Sequence, residues 1–177
     1  MVDVDGDGVE LIEADHALVS RNVIKDVGGD GVSGDDVDDC WIRNNIVKVT
    51  DGDGIVIEGD DNRIRANRVR DVDGTGINLV SGSTYFTVSR NIVKDCGEDG
   101  ILLEATKSTV NSNRVVRAGD DGIVVNAGDN TLKLNIVKLS TDDGFQMDAG
   151  LNTLKKNISK KNDDDDLEAN SSQKDMD

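Results

Sequence analysis

The sequence predicts an all-β solenoid, in which the chain winds into about eight similar coils of 22–24 residues. Two rows of residues carry this prediction. A glycine followed by an apolar residue recurs at intervals of 22–24 residues, at Gly8, Gly31, Gly54, Gly76, Gly100, Gly122 and Gly144, and a degenerate copy has Asp166 there. An asparagine stands ten residues before the apolar position, at Asn22, Asn45, Asn67, Asn91, Asn113, Asn135 and Asn157. Because one coil cannot bury its apolar side chains alone, such repeats stack on their neighbours.

Short strands are predicted within each coil. Apolar residues alternate with a period of two at Ile55 and Ile57, and again at Ile101 and Leu103, which is typical of strands of about three to five residues. Gly, Asp and Asn separate these patches, as turns require. Each coil is therefore expected to hold about three strands. The asparagine row is expected to form a ladder of side-chain amides inside a turn, with ligand binding as the alternative.

The coil pattern N-x-(I/V)-K-x…D-G-(I/V)-x-(I/L/V) resembles the right-handed parallel β-helix repeat family, including its NosD-like and pectate-lyase-like, carbohydrate-associated members. The resemblance covers residues 5–170. It implies a right-handed parallel β-helix domain over residues 1–170 and leaves residues 171–177 as a polar C-terminal tail. It also implies an extracellular or periplasmic location, although the acidic start of the chain lacks the apolar stretch of a signal peptide. The family hosts lyases, epimerases, hydrolases, adhesins and inert scaffolds, so the fold alone names no activity.

Composition narrows the class of partner. The chain has 36 acidic and 20 basic residues and a formal net charge of −16, which disfavours nucleic acid and anionic membranes. No apolar run is long enough for a membrane span. Aromatic residues are only 2% of the chain, so Val, Ile and Leu must supply the core. The chain has only two cysteines and one histidine, which is too few for a disulfide framework or a Cys–His zinc or copper site.

A row of acidic residues precedes the glycines, at Asp7, Asp30, Asp53, Asp99, Asp121, Asp143 and Asp165, with Thr75 as the exception. In stacked coils these residues lie about 4.8 Å apart, and like charges at that spacing repel one another. Calcium bound by oxygen ligands from adjacent coils would relieve the repulsion. Asp53, Asp99, Asp121 and Asp143 are therefore candidate Ca²⁺ ligands, and no other cofactor is expected. The alternative is that each aspartate caps its own turn by accepting backbone N–H bonds.

A second row follows the predicted strands, three positions after the apolar anchor: Asp35, Glu58, Val80, Glu104, Asn126 and Asp148. The family resemblance places the active groove of polysaccharide enzymes on this exterior face. Glu58, Glu104 and Asp148 are candidate catalytic acids and bases, and Asp35 and Asn126 are candidate substrate-binding residues. Polygalacturonase-type motifs such as Asn-Thr-Asp and Gly-His-Gly do not occur.

The lone histidine and the few aromatic residues receive separate interpretations. His16 is interpreted as a turn residue at the position of Asn62, Asn130 and Asn152. Two excursions, at 33–40 and 81–85, lengthen their coils, and such insertions often wall a binding groove. Tyr85, which ends the second excursion, is a candidate for stacking on sugars. Trp41 and Phe86 are predicted to point into the core, at the position of Ile64 and Val110, with sugar stacking as the alternative for Trp41.

A basic row lies three residues after each ladder asparagine: Lys25, Lys48, Arg70, Lys94, Lys138 and Lys160, with Val116 as the exception. Such a row is typical of an outward strand position that discourages unwanted sheet growth. The alternative is a stripe that binds an anionic polysaccharide by charge.

The sequence therefore predicts a structural or glycan-interacting β-helix domain without an evident catalytic signature. The first alternative is a lyase, epimerase or hydrolase that acts on an acidic polysaccharide in the exterior groove. The second alternative is a calcium-stabilised scaffold. Because the first coil, at Met1 and Val2, has no sequence typical of a cap, self-association through the coil ends is also expected.

Overall fold

The computed structural model describes residues 5–169, which form an all-β parallel solenoid of seven coils and one strand of an eighth. The predicted fold class is confirmed. The proposed tail at 171–177 and the chain start at Met1 and Val2 lie outside the described residues. Within residues 5–169 no helix is long and apolar enough to cross a membrane.

Three parallel sheets run the length of the solenoid, and each coil contributes one strand to each sheet. Sheet 1 contains β1 Val9–Ile12, β4 Val32–Asp35, β7 Ile55–Ile57, β10 Ile77–Leu79, β13 Ile101–Leu103, β16 Ile123–Val125, β19 Phe145–Met147 and β22 Glu168–Ala169. Sheet 2 contains β2 Leu18–Ser20, β5 Trp41–Arg43, β8 Arg63–Arg65, β11 Thr87–Ser89, β14 Thr109–Asn111, β17 Thr131–Lys133 and β20 Thr153–Lys155. Sheet 3 contains β3 Val23–Val27, β6 Ile46–Thr50, β9 Arg68–Val72, β12 Ile92–Cys96, β15 Arg114–Ala118, β18 Ile136–Lys138 and β21 Ile158–Lys160.

The core is a stack of aliphatic side chains from all three sheets. In the third coil, Ile55 and Ile57 of sheet 1, Ile64 of sheet 2 and Val69 of sheet 3 are all essentially inaccessible to solvent. Burying one such side chain contributes about 1.5–3 kcal/mol relative to leaving it exposed. The glycine before each sheet 1 strand is needed for space, because a Cβ at Gly54 would collide with the Val69 side chain and the next coil's backbone.

The asparagine row forms the predicted ladder at the corner between sheets 2 and 3. The Nδ2 of each asparagine donates to the Oδ1 of the asparagine one coil later, at 3.0–3.2 Å from Asn22 through to Asn157. The same Oδ1 accepts the preceding asparagine's backbone N–H at 2.9 Å. Nδ2 also donates to a sheet 2 carbonyl of the previous coil, such as that of Val88 for Asn113. The amides are therefore structural, and their bonds join every coil to the next.

Residues with a left-handed backbone conformation occupy the turns of each coil and align in three columns along the solenoid. One column lies at the corner between sheets 1 and 2 and contains His16, Asp39, Asp61, Tyr85, Lys107, Asp129 and Leu151. The corner between sheets 2 and 3 has another, at Arg21, Asn44, Ala66, Arg90, Ser112, Leu134 and Lys156. The third lies at the end of the sheet 3 strands, at Asp26, Val49, Asp71, Asp95, Arg117, Leu139 and Lys161. His16 is therefore a turn residue, as predicted, but it aligns with Asp61 and not with Asn62.

The prediction that Trp41 points into the core is wrong. Trp41 pairs in register with Arg63, whereas Ile42 takes the buried position beside Ile64. The excursion before β5 shifts the chain by one residue, because Cys40 fills the inward corner position and its N–H donates to Asn62 Oδ1 at 2.9 Å. Trp41 instead faces outward and half-buried, and the Arg63 guanidinium lies 5.2 Å from its ring centre.

Phe86 is buried, as predicted, but not at the position of Ile64. Val88 pairs with Ile64 and takes that position. Phe86 lies two residues earlier, at the corner, where its backbone N–H donates to Ser108 Oγ at 3.0 Å. In the preceding coil the corner position belongs to Asn62, since the N–H of Thr87 donates to the Asn62 carbonyl.

We expect the ladder to contribute most at its centre. Replacing Asn113, which is 1% exposed, with alanine leaves buried donors of Asn91 without their acceptor, at a cost of about 2–4 kcal/mol of unfolding free energy. Replacing Asn22, at the exposed end of the ladder, with alanine serves as the control and should cost less than half as much. Urea denaturation followed by far-UV circular dichroism measures both. Equal losses in the two variants would contradict a ladder that depends on burial.

Candidate functional site

The outer face of sheet 1 is a shallow trough that runs along the solenoid. Its floor consists of the outward residues at the middle of the strands, which pair in register: Ser33, Val56, Asn78, Leu102, Val124 and Gln146. None of these six is fully exposed, and Val124 is only 4% exposed although it points outward. Neighbouring residues therefore cover part of each floor side chain.

The post-strand row, which comprises Asp35, Glu58, Val80, Glu104, Asn126 and Asp148, forms one wall of the trough. Backbone hydrogen bonds place these residues in register, since the N–H of Glu58 donates to the Gly34 carbonyl at 2.8 Å and that of Glu104 to the Leu79 carbonyl at 3.0 Å. Glu58, Asn126 and Asp148 are exposed, and Glu104 is half-buried. Five of the six predicted catalytic and substrate-binding residues therefore lie in one row.

The candidate catalytic residues are not neighbours within this row. Val80 separates Glu58 from Glu104, and Asn126 separates Glu104 from Asp148. Two coils correspond to roughly 10 Å between backbones, which is wider than the about 5–5.5 Å between the carboxyl groups of retaining glycosidases and just beyond the about 6.5–9.5 Å of inverting ones. Asp35 and Glu58 are the two acidic residues of this row that occupy adjacent coils.

Tyr85, the sixth predicted residue, lies at the corner between sheets 1 and 2 and not in the post-strand row. Its ring is half exposed, and the Lys107 ammonium lies 5.5 Å from the ring centre. A cation in that position is attracted to the ring face. The role of Tyr85 in sugar stacking stays a prediction.

The pre-strand row forms the opposite wall and consists of Asp7, Asp30, Asp53, Thr75, Asp99, Asp121, Asp143 and Asp165. The predicted capping within each aspartate's own turn is not the arrangement observed. The Oδ1 of Asp30 accepts the backbone N–H of Asp53 at 2.7 Å, and that of Asp121 accepts the N–H of Asp143 at 2.7 Å. Bonds of this kind recur along the row, at 2.7–3.1 Å. Each of these aspartates therefore caps the turn of the next coil.

A third acidic row, which the sequence interpretation missed, lies beside the last of these aspartates. The residue before each pre-strand position is a glycine in the early coils, at Gly6, Gly29, Gly52 and Gly74, but an acid in the later ones, at Glu98, Asp120, Asp142 and Asp164. One carboxylate oxygen from each of Asp120, Asp121 and Asp142 lies within 4.8 Å of the others, and the same holds for Asp142, Asp143 and Asp164. The change from Gly-Asp-Gly to Asp-Asp-Gly was the available sequence signal.

Burial and mutual repulsion shift the proton affinities of these carboxylates. Burial, the largest cause, and the charges of Asp99, Asp120 and Asp142 together raise the pKa of Asp121 to about 7, against the lowering effect of the Asp143 N–H. Burial likewise raises the pKa of Asp99 to about 6. Of the predicted calcium ligands, Asp121 and Asp143 belong to the three-carboxylate clusters. Binding of calcium there stays a prediction.

The trough side of the solenoid is strongly acidic. In each coil, the segment between the sheet 3 strand and the next sheet 2 strand contains the sheet 1 strand. These segments, of which 28–40 is the first and 139–152 the last, contain a single basic residue, Lys107. In the strands of sheet 1 there are three acidic residues and no basic one. The chain's histidine, His16, lies in the first coil, where its Nδ1 is 3.9 Å from Asp39. An anionic polymer would therefore meet repulsion along this trough.

Comparisons with known proteins agree with the architecture. The family model described as right-handed beta helix region matches residues 2–137. Two crystal structures of single-substitution mutants of the periplasmic alginate epimerase AlgG superpose with TM-scores of 0.88 and 0.89 at 21% identity. They cover 96% and 98% of this chain, whereas this chain spans about half of theirs, 47% and 48%. No curated protein sequence gave a match.

We expect stability to fall as the pH rises from about 4 to about 7. Asp121 has a folded pKa of about 7, above the about 3.9 of an unfolded aspartate. The folded state therefore binds its proton more tightly, and that contribution is lost as the pH rises through 7. Asp121→Asn, which keeps an acceptor for the Asp143 N–H, should raise the melting temperature at pH 8 by about 2–4 °C.

Calorimetry in chelator-containing buffer at pH 5 and pH 8 measures this effect. Asp61→Asn, which removes the same charge from an exposed corner, is the matched control. The explanation fails if Asp121→Asn stabilises equally at both pH values, or if Asp61→Asn has the same effect.

Proposed function

The chain belongs to the right-handed β-helix family, and on this premise we propose that it is a non-catalytic β-helix domain that binds polysaccharide. The observation that carries the proposal is the solenoid itself, whose full described length superposes on that of an epimerase named for its action on alginate. Long, regular sheet faces suit a linear polymer better than a compact ligand. The proposal concerns this chain, which spans about half of the epimerase chains.

The spacing of the post-strand row supports a non-catalytic role. General acid–base catalysis needs two groups within reach of one reacting bond. Val80 and Asn126 interrupt the carboxylates, so that Glu58, Glu104 and Asp148 lie two coils apart. His16, the chain's one histidine, is in the first coil and pairs with Asp39 away from this row. Glycan binding without turnover is the function that this arrangement supports best.

A polysaccharide lyase, epimerase or hydrolase is the rival, with Glu58, Glu104 and Asp148 as acids and bases and with Asp35, Asn126 and Tyr85 contacting substrate. We expect the protein to bind alginate or polygalacturonate without changing it. Proton NMR of the polymer after prolonged incubation detects new unsaturated ends, new reducing ends or epimerised sugars.

Variants decide between the two functions. If turnover is seen and is abolished in Glu58→Gln and Glu104→Gln, the non-catalytic proposal is overturned and the rival is correct. Turnover that survives both substitutions also overturns the proposal and assigns the chemistry to other residues. Binding without turnover, unchanged in Asp129→Asn as the surface control, supports the proposal.

A calcium-stabilised scaffold is the second candidate, and the two three-carboxylate clusters favour it. Calcium prefers oxygen ligands and takes about 6–8 of them, so that water would complete a site built on Asp120, Asp121 and Asp142. Calcium chloride alone should then raise the melting temperature by several degrees at about millimolar concentration.

Asp142→Asn is the informative variant, because Asp142 belongs to both clusters. It should lose the calcium-dependent increase in melting temperature, whereas Asp61→Asn should keep it. An unchanged melting temperature with calcium, or an equal increase in both variants, would exclude a specific role for these clusters.

We propose an extracellular or periplasmic location, because the epimerase of the matched structures is periplasmic. A polysaccharide ligand agrees with such a location. Self-association through the coil ends stays a prediction, which sedimentation at high protein concentration tests.

A further inference from the structure

The basic residues of this acidic molecule concentrate on sheet 3 and, in smaller number, on sheet 2. The seven strands of sheet 3 carry nine basic and three acidic side chains, whereas the whole chain has a net charge of −16. The nine are Lys25, Lys48, Arg68, Arg70, Lys94, Arg114, Arg117, Lys138 and Lys160. Sheet 1, in contrast, has no basic residue in its strands. The solenoid is therefore electrically two-sided, and its cationic side is away from the sheet 1 trough.

The predicted basic row lies in register along sheet 3, with one interruption at Val116. Lys25, Lys48, Arg70 and Lys94 pair in register in successive coils, and after Val116 the row continues with Lys138 and Lys160. Adjacent coils lie about 4.8 Å apart, which is close to the length of one sugar in an extended pyranose polymer. The stripe therefore offers nearly one cation per sugar along the axis.

Part of the stripe is free of ion pairs. Arg70 pairs with Asp71 at 3.3 Å and Lys94 with Asp95 at 2.8 Å, so their charges are partly neutralised. Among residues 5–169, no ion pair involves Lys48, Arg68 or Lys138. These three side chains are at least partly exposed. Their charges are available to an anion without breaking an existing contact.

A hollow on this face combines cations with an apolar surface. It has a volume of about 310 Å³ and is lined by Ile46, Arg68, Val69, Arg70, Ile92 and Lys94. It forms because Arg68 stands in register between Ile46 and Ile92, each of which is 37% exposed. Binding sites for small ligands typically combine such apolar walls with a few polar groups. The isoleucines offer an apolar surface for a sugar ring, and Arg68, Arg70 and Lys94 offer charges for its acidic group.

We propose that the outer face of sheet 3 is a binding surface for a carboxylated polysaccharide that lies along the solenoid axis. The inference rests on the proposed function and gives it a polymer class and a face. A nucleic acid fits the surface poorly, because the seven strands contain no aromatic residue on which bases stack. The acidic remainder of the molecule repels a polymer with the charge density of DNA more strongly than one with a single charge per sugar.

The test is binding of polygalacturonate at low salt by isothermal titration calorimetry, with neutral dextran and a single-stranded DNA oligonucleotide as reference polymers. The first variant combines Lys48→Gln, Arg68→Gln and Lys138→Gln on sheet 3. The matched control combines Arg65→Gln, Lys133→Gln and Lys155→Gln on sheet 2, which removes the same three charges and the same residue types from another face. Melting temperatures establish that both variants fold.

We expect the sheet 3 variant to bind polygalacturonate about tenfold more weakly than the unmodified protein and the sheet 2 variant to bind within about twofold. Binding by the unmodified protein should weaken as salt rises to about 0.15 M, with a smaller dependence in the sheet 3 variant. If the sheet 3 variant does not fold, Arg68→Gln alone should still weaken binding about threefold.

Four results would overturn the proposal. Equal losses of affinity in the two triple variants would show that overall charge attracts the polymer without a defined binding face. Loss of binding only when Glu58 and Glu104 are replaced would move the glycan to the sheet 1 trough and leave the proposed function intact. DNA binding as tight as polygalacturonate binding, and equally reduced in the sheet 3 variant, would assign the face to another polymer. No binding of any polysaccharide by the unmodified protein would overturn both this inference and the proposed function.

Discussion

The hydrogen bond between one coil and the next is the interaction on which this molecule depends. A single coil buries no core of its own, so its strands exist only because the neighbouring coils pair with them. Backbone bonds supply the pairing along the sheets. Asparagine amides supply it at one corner and aspartate carboxylates at another. The bonds between ladder asparagines and those accepted by the aspartate carboxylates join residues 22–24 positions apart, which is why the spacing of the repeat is so strict.

The same constraint determines where charge accumulates. A side chain that recurs once per coil forms a line of like charges, and its repulsion must be offset by hydrogen bonds, counter-charges or protonation. The pre-strand aspartates are offset by backbone N–H groups, and in the later coils the pKa values of Asp99 and Asp121 rise. The sheet 3 cations are offset in part by Asp26, Asp71 and Asp95. The two lines lie on different faces, so the solenoid keeps an acidic and a basic side.

Much of this architecture was predictable from spacing, because spacing directly encodes the stacking. The asparagine row implied the ladder, and the carboxylates after the strands implied a common row. The position of Trp41 was predicted wrongly because the excursion before it adds a residue to the coil. Cys40, and not Trp41, is therefore the inward residue at the corner. The acceptor role of Asp121 was assigned to the wrong turn, since a bond to Asp143, 22 residues away, leaves no local signal. Asp142 was missed because an additional acidic residue in a turn resembles an ordinary solvent-exposed turn residue.

The directional form of the asparagine ladder has a consequence for how such a chain changes in length. The Nδ2 of each ladder asparagine donates to the Oδ1 of the asparagine one coil later. Every ladder asparagine therefore offers the same acceptor, its Oδ1, to the coil before it. Removing one repeat, such as residues 92–113, would bring Asn91 against Asn135 with the ladder geometry unchanged. Duplication works in the same way. Insertion or removal of a whole coil therefore preserves the ladder, whereas insertion or removal of a few residues breaks its register.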